Sequence, residues 1–301
     1  MATKKSKKKQ LKLWVEGARL RTLPLAIAPV AIGAGAAASV QAFSLGLSLL
    51  ALAVALFLQI GVNYANDYSD GIRGTDAKRV GPLRLTGSGS TKPQAVKFAA
   101  FLFFALAGLA GLSIVVLTGY WWLLAVGAVA IVAAWFYTGG KSPYGHAGLG
   151  EIAVFIFFGL VATVGTSYIQ VKYFDLNSIL GGVAAGLFAS AVLMVNNIRD
   201  IELDAHVGKR TLAVKLGKRW AKAFYFAMIW VPMFILVPFI LIYPATLFAT
   251  ASIFLVVPAT LIVATAKTPK ELILALKLTS FAALGYALLL GYGLATVTLK
   301  I

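Results

Sequence analysis

The sequence contains no cysteine, so disulfide scaffolds, thiolate catalysis and thiolate metal ligands are all excluded. It has only two histidines and ten acidic residues among 301, which leaves little material for imidazole-based metal sites or for a solvated, charged surface. Charged residues make up 12% of the chain and apolar residues 60%, at a mean hydropathy of +0.88. That is far more apolar surface than a soluble core of this size buries, so water is not the main solvent of this chain. Also missing are ten-residue segments of alternating polarity, the mark of an outer-membrane barrel. The spanning elements are therefore helices.

What is present is a series of apolar runs, each near the roughly 20 residues that a helix needs to cross ~30 Å of hydrocarbon. Nine spans are expected, at 14–41, 44–65, 96–117, 120–137, 150–169, 179–195, 224–243, 245–266 and 272–298. The fold class is all-α, a polytopic membrane protein in which residues 1–301 form one transmembrane domain and 1–12 a basic, unstructured tail. The lysine run at 4–9 followed by an apolar stretch imitates a secretory signal. The stretch is too long for one and contains Pro24 and Pro29, so it is expected to stay as the first helix.

Charge placement gives an orientation. With alternating passes and the N-terminus inside, every Lys and Arg falls on the inner side except Lys172 and Lys300, as expected when basic residues are retained in the cytoplasm. The C-terminus then lies outside. A formal net charge of +17 would suit nucleic acid, but the basic residues stand in short segments beside membrane spans, where anionic lipid of the cytoplasmic membrane is the natural partner.

The longest polar stretches, 66–92 and 199–222, follow the second and sixth spans. Helices two to five and six to nine thus read as two pseudo-repeats of four, preceded by one extra helix. An even number of crossings between the two stretches puts both on one face. Gly182 and Gly186 have the G-x-x-x-G spacing that lets membrane helices approach closely, and Pro232, Pro238 and Pro258 are expected to kink or pack their helices.

Six of the ten acidic residues sit in these two windows: Asp67, Asp70 and Asp76, then Asp200, Glu202 and Asp204. Asn63, Asp67 and Asp70 are spaced i, i+4, i+7, and Asn196, Asp200 and Asp204 i, i+4, i+8, so each set is expected on one helical face. Carboxylates stacked at a membrane edge repel one another unless something positive is bound. Pairing with Arg73, Lys78 or Arg199, or plain solvation, is the mundane reading; two matching clusters on one side favour a bound cation. Oxygen ligands without Cys or His select a hard one, Mg²⁺ first. Charge counting leaves room for a diphosphate against two such ions, with Arg73, Lys78, Arg79, Arg84, Arg199, Lys209 and Arg210 as surrounding cations.

At these residues the sequence resembles the UbiA superfamily of intramembrane prenyltransferases. Asn66-Asp67-Tyr68-Ser69-Asp70 is similar to its N-D-x-x-D motif and Asp200-Ile201-Glu202-Leu203-Asp204 to its D-x-x-x-D motif. The family's longer first motif has a third Asp at the position of Gly74; here Asp76 lies two residues on. The wording around the motifs, with Gly81-Pro82, Arg84-Leu85-Thr86-Gly87-Ser88-Gly89, Asn196-Asn197-Ile198-Arg199-Asp200 and Gly208-Lys209-Arg210-Thr211, looks like that of the 1,4-dihydroxy-2-naphthoate prenyltransferases of menaquinone synthesis.

The resemblance implies an activity and a division of labour. A polyprenyl diphosphate would ionise at its allylic C–O bond and the prenyl group pass to 1,4-dihydroxy-2-naphthoate, with loss of CO₂, to give demethylmenaquinone and diphosphate. Asp67, Asp70, Asp200 and Asp204 would be the catalytic carboxylates holding Mg²⁺, with Asn63, Asn66 and Asn196 or Asn197 adding neutral oxygens. Arg73, Arg79, Arg199, Lys209 and Arg210 would clamp phosphate. Lys141 and Arg21 would bind the acceptor carboxylate or the diphosphate. The tail would lie between helices, where burial contributes about 0.8 kcal/mol per CH₂. His146 and His206 could carry protons but read first as incidental loop residues, and Gly87-Ser88-Gly89 as a flexible turn or the hinge of a lid. Another aromatic acceptor such as 4-hydroxybenzoate stays open. A secondary transporter is the reading from a different class, although its charges belong near mid-membrane at broken helices. A CDP-alcohol phosphatidyltransferase would gather its aspartates in one stretch, which is absent here.

Overall fold

The computed structural model describes residues 4–75 and 84–296, and within these the chain is helical throughout, with no strand. Asp76, Lys78 and Arg79 lie outside the described residues. Helix α1 (Lys4–Gly17) carries the basic run expected as a tail. It meets α2 (Pro24–Ser39) at a 48° bend. The bend is set by Arg19, whose φ of 53° is left-handed, a conformation unfavourable to a bulky side chain unless the surroundings fix it. Seven long helices and one short one follow: α3 (Leu45–Ile72), α4 (Pro93–Thr118), the short α5 (Leu123–Phe136), α6 (Gly150–Val171), α7 (Leu176–His206), α8 (Leu212–Ile242), α9 (Pro244–Thr265) and α10 (Leu272–Ala295).

Among the described residues seven helices are long and apolar enough to cross a membrane, and the bent pair leading into α2 makes up to eight. The expected count of nine is therefore not met by length. The shortfall is α5, whose 14 residues reach about 21 Å, less than the hydrocarbon core. Large interfacial side chains flank it, Trp121 and Trp122 at one end and Trp135 and Tyr137 at the other, as suits a helix that stops at the headgroup boundary.

Helix α7 is the axis of the bundle, 72% of its apolar window being buried. Its neighbours approach through glycines. A Cβ on Gly159 would lie 2.4 Å from the Gly186 Cα and 2.6 Å from the Gly182 carbonyl, so the G-x-x-x-G pair of α7 makes room for the backbone of α6. That part of α6, Phe155–Val161, is a π-helical turn, a wider coil often found at functional positions. Helices α2 and α10 touch in the same way, a Cβ on Gly35 falling 2.4 Å from the Gly291 carbonyl.

Both polar stretches turn out to begin inside helices. Helix α3 continues to Ile72 and α7 to His206, so the aspartates project from the last turns of long, rigid elements.

Candidate active site

A cavity of about 600 Å³ opens between α2, α3, α4, α5, α6 and α7. Its polar end is built from the last turns of α3 and α7. Asn63, Asn66 and Asp70 line it from α3, and Asn196, Asn197, Asp200 and Asp204 from α7. The two ends are joined by an ion pair, Lys209 Nζ lying 3.1 Å from Asp70 Oδ1, with His146 Nε2 3.2 Å from the same oxygen. Lys209 follows directly on α7, and its N–H donates to the Asp204 carbonyl at 2.8 Å. Lys209 thus links the two acidic motifs, its side chain to Asp70 and its backbone to Asp204, and both motifs face one space.

Several expected site residues sit elsewhere. Asp67 is 1% exposed and does not line the cavity. On a helix it stands about 60° round from Asp70, and its carboxylate accepts from the backbone N–H groups of Leu85 and Thr86, each at 2.8 Å. The face shared by the first motif is therefore Asn63, Asn66 and Asp70 rather than Asn63, Asp67 and Asp70. Arg73 donates to the carbonyls of Thr138 and Gly140 and so ties down the loop after α5. Lys141 and Arg210 are exposed and outside the cavity lining. Arg199 grips its neighbour: Nε donates to Asp200 Oδ1 at 2.7 Å and Nη2 to Oδ2 at 2.6 Å, with a further bond from Nη2 to Asn196 Oδ1 at 2.9 Å. Its side chain is 1% exposed. Arg199 thus orients Asp200 and is turned away from the cavity.

The amides are also committed. Asn63 donates to the Ala18 carbonyl at 2.9 Å and to Thr22 Oγ1 at 3.1 Å, fixing the α1–α2 bend to α3 and so placing Arg19 and Arg21 in the cavity wall. Asn66 Oδ1 accepts from the Thr138 hydroxyl at 2.7 Å, and Asn197 donates to Glu151 Oε1 at 2.9 Å. Arg19, Thr138, Tyr144 and His146 all line the cavity and were not legible as site residues. Each comes from a loop or bend whose approach is purely tertiary. Glu151 did carry a signal: a single carboxylate at the head of an apolar span must find a partner.

Next to the carboxylates, Tyr144 donates to the Ala133 carbonyl at 2.8 Å, and burial pushes its phenol up to about 12. Burial first, and the nearby Glu151 carboxylate second, raise that of Tyr137 still further. Both remain neutral donors at physiological pH and neither offers a phenolate base.

Beyond the polar end the cavity is apolar and its wall is of small residues, among them Ala107, Gly108 and Gly111 of α4 and Gly127 and Ala128 of α5. A Cβ on Gly111 or Gly127 would meet nothing within 4 Å, so these glycines leave open space. Leu112 and Leu124 line the cavity yet are 42% and 45% exposed. The apolar arm therefore reaches the bilayer-facing side between α4 and α5.

Among the described residues no three carboxylate or histidine side chains stand close enough to hold a metal ion by themselves. The donor set nevertheless fits a hard divalent cation. Mg²⁺ is ordinarily held by one or two carboxylates with substrate phosphates completing its shell, not by an all-protein cage. Asp70 from one motif and Asp200 and Asp204 from the other offer one and two carboxylates around one space, with Asn66 and Asn196 oxygens beside them.

Comparison with known proteins agrees with this architecture. The profile of the UbiA prenyltransferase family matches residues 26–281. The chain is 49% identical over 212 residues to the 1,4-dihydroxy-2-naphthoate octaprenyltransferase of Mycobacterium tuberculosis, covering 70% of this chain and 72% of that protein. It is 38% identical over 233 residues to the protein of the same name from Haemophilus influenzae, covering 75% and 76%. Among solved structures, a UbiA homologue from Archaeoglobus fulgidus bound to GPP and Mg²⁺ superposes with a TM-score of 0.67 at 15% identity, over 94% of this chain and 99% of that one, a likeness of fold.

Proposed function

We propose that this chain, a multi-span membrane protein that belongs to the UbiA prenyltransferase family, transfers a polyprenyl group from its diphosphate to 1,4-dihydroxy-2-naphthoate with loss of CO₂. The observation that carries the reading is the joining of an acidic, cation-bridged end to an apolar arm in one cavity. A diphosphate ester of a long hydrocarbon has the same two-part character. The 49% identity to a naphthoate octaprenyltransferase supports the choice of acceptor, and the asymmetry of basic residues supports a cytoplasmic position for the polar end.

Asp70, Asp200 and Asp204, helped by Asn66 and Asn196, would hold Mg²⁺, which when bound draws off the negative charge that builds on the departing diphosphate. Lys209, Arg19, Arg21 and Arg84 line the same end and add fixed positive charge for the phosphates and the acceptor carboxylate. Arg199 keeps Asp200 aimed, and Arg73 holds the loop that carries Thr138. The apolar arm excludes water from the allylic cation. Ring attack forms one C–C bond, and breaking the bond to the carboxylate returns its electron pair to the ring as CO₂ leaves. That balance delivers demethylmenaquinone in its hydroquinone form; the quinone follows by a separate oxidation.

Purified protein in lipid with Mg²⁺ and labelled polyprenyl diphosphate should release one CO₂ per prenylated product from dihydroxynaphthoate, and little product from 4-hydroxybenzoate. Preference for the benzoate, or transfer without CO₂ release, would overturn the acceptor assignment. The arm makes a separate prediction. Gly111→Phe or Gly127→Phe fills open space, and is expected to cut kcat/KM for a forty-carbon donor about tenfold relative to a ten-carbon one. Equal losses for both donors would show that the tail runs elsewhere.

A further inference from the structure

Within the reaction proposed above, on which this inference rests, we propose that Asp67 is a positioning residue that latches the 84–91 loop to α3 and thereby holds Arg84 at the polar end of the cavity. The two bonds from Leu85 and Thr86 place successive backbone amides on one carboxylate, and bonds to an ionised acceptor are stronger than those between neutral groups. The loop is seated on both sides of the latch. A Cβ on Gly17 would lie 2.7 Å from Leu85 Cδ1, and one on Gly71 would lie 2.5 Å from Thr86 Cβ. The absence of a side chain at Gly71 in particular lets the loop backbone lie this close, since its Cβ would also fall 3.0 Å from the Gly87 nitrogen. The loop then closes on itself, Thr91 N–H donating to the Leu85 carbonyl at 3.1 Å and Ser88 N–H to the Arg84 carbonyl at 3.0 Å.

Arg84 immediately precedes the two latched residues, is buried, and lines the cavity. A guanidinium on an unanchored loop would lose much of its binding free energy to ordering, whereas one pre-set by its backbone meets a phosphate at little entropic cost. The sequence spacing offers Asp67 as a metal ligand. The fold directs its oxygens at the loop instead, away from the space that Asp70, Asp200 and Asp204 share.

The test uses the full chain in nanodiscs, with Asp67→Asn, Arg84→Ala, their double variant, Thr86→Pro and Asp70→Asn. Asparagine turns an N–H toward one of the two amides, so hydrogen–deuterium exchange at residues 85–86 is expected to speed up at least about tenfold, with the middle of α3 unchanged. KM for the prenyl diphosphate should rise about tenfold in Asp67→Asn and in Arg84→Ala, and no further in the double variant. Mn²⁺ binding in the presence of inorganic diphosphate, followed by electron paramagnetic resonance, should be within about twofold of wild type in Asp67→Asn but about tenfold weaker in Asp70→Asn.

A weakening of Mn²⁺ binding in Asp67→Asn equal to that in Asp70→Asn, unchanged amide exchange, or KM effects that multiply in the double variant would each overturn the proposal. If Asp67→Asn does not fold, Thr86→Pro decides. It removes one donor and leaves the carboxylate, so it should raise KM while sparing Mn²⁺ binding, and an unchanged KM overturns the latch. Absence of product from the wild type would strike at the reaction assignment instead, and the exchange and Mn²⁺ measurements would still judge the latch.

Discussion

Asp70→Asn is expected to slow prenyl transfer about 10²- to 10³-fold, the range seen when one group stabilising a transition-state charge is removed, while the thermal midpoint falls modestly because Lys209 loses its counter-charge. The expectation comes from where Asp70 stands. Lys209 Nζ and His146 Nε2 lie 3.1 and 3.2 Å from its Oδ1, and the isosteric asparagine keeps the packing around them. What disappears is the negative charge that would hold a cation against the diphosphate. Single-turnover kinetics at saturating substrate isolates that step from binding. A rate within tenfold of wild type would remove Asp70 from the centre of the mechanism.

Asp200→Ala should lose activity by a similar factor and should destabilise the protein more than Asp70→Asn does. The Arg199 side chain is 1% exposed and spends Nε and Nη2 on this carboxylate. Removing one partner of a buried pair leaves an uncompensated charge and costs about 3–5 kcal/mol, whereas replacing both by apolar groups is often close to neutral. Asp200→Ala is therefore expected to lower the thermal midpoint, and Asp200→Leu with Arg199→Met to restore most of it without restoring turnover. Stability recovered together with activity would mean that the pair is architectural and that Asp200 has no part in the chemistry.

Membrane class, helical fold and the two acidic windows were legible because they depend on composition and short spacing alone. Helical periodicity placed Asn196, Asp200 and Asp204 on one face, and the cavity runs along that face. It could not distinguish Asp67 from Asn66. Both lie within about 60° of Asp70 on the helix, and which of them faces the cavity is decided by where residues 84–91 dock, a contact between segments distant in sequence. The basic residues were the least legible. Arg73, Arg199 and Arg210 look alike beside the motifs, yet the fold uses Arg73 to hold a loop and Arg199 to hold a carboxylate, and leaves Arg210 exposed. Arg19 gave no hint, since its place depends on a left-handed bend that no local pattern announces. The expected span at α5 is shorter in the structure, 14 residues, because apolar length in a sequence includes the aromatics that end the helix.

The gap between α4 and α5, where Leu112 and Leu124 face both the cavity and the outside, sets the terms on which this protein meets its two reactants. In the proposed reaction the isoprenoid would enter here by diffusion in two dimensions, governed by its mole fraction among the lipids, while the naphthoate would come from bulk solution, governed by molarity. Apparent constants for the isoprenoid therefore scale with the amount of amphiphile in the reaction, and values obtained at different detergent-to-substrate ratios compare only after conversion to surface concentration.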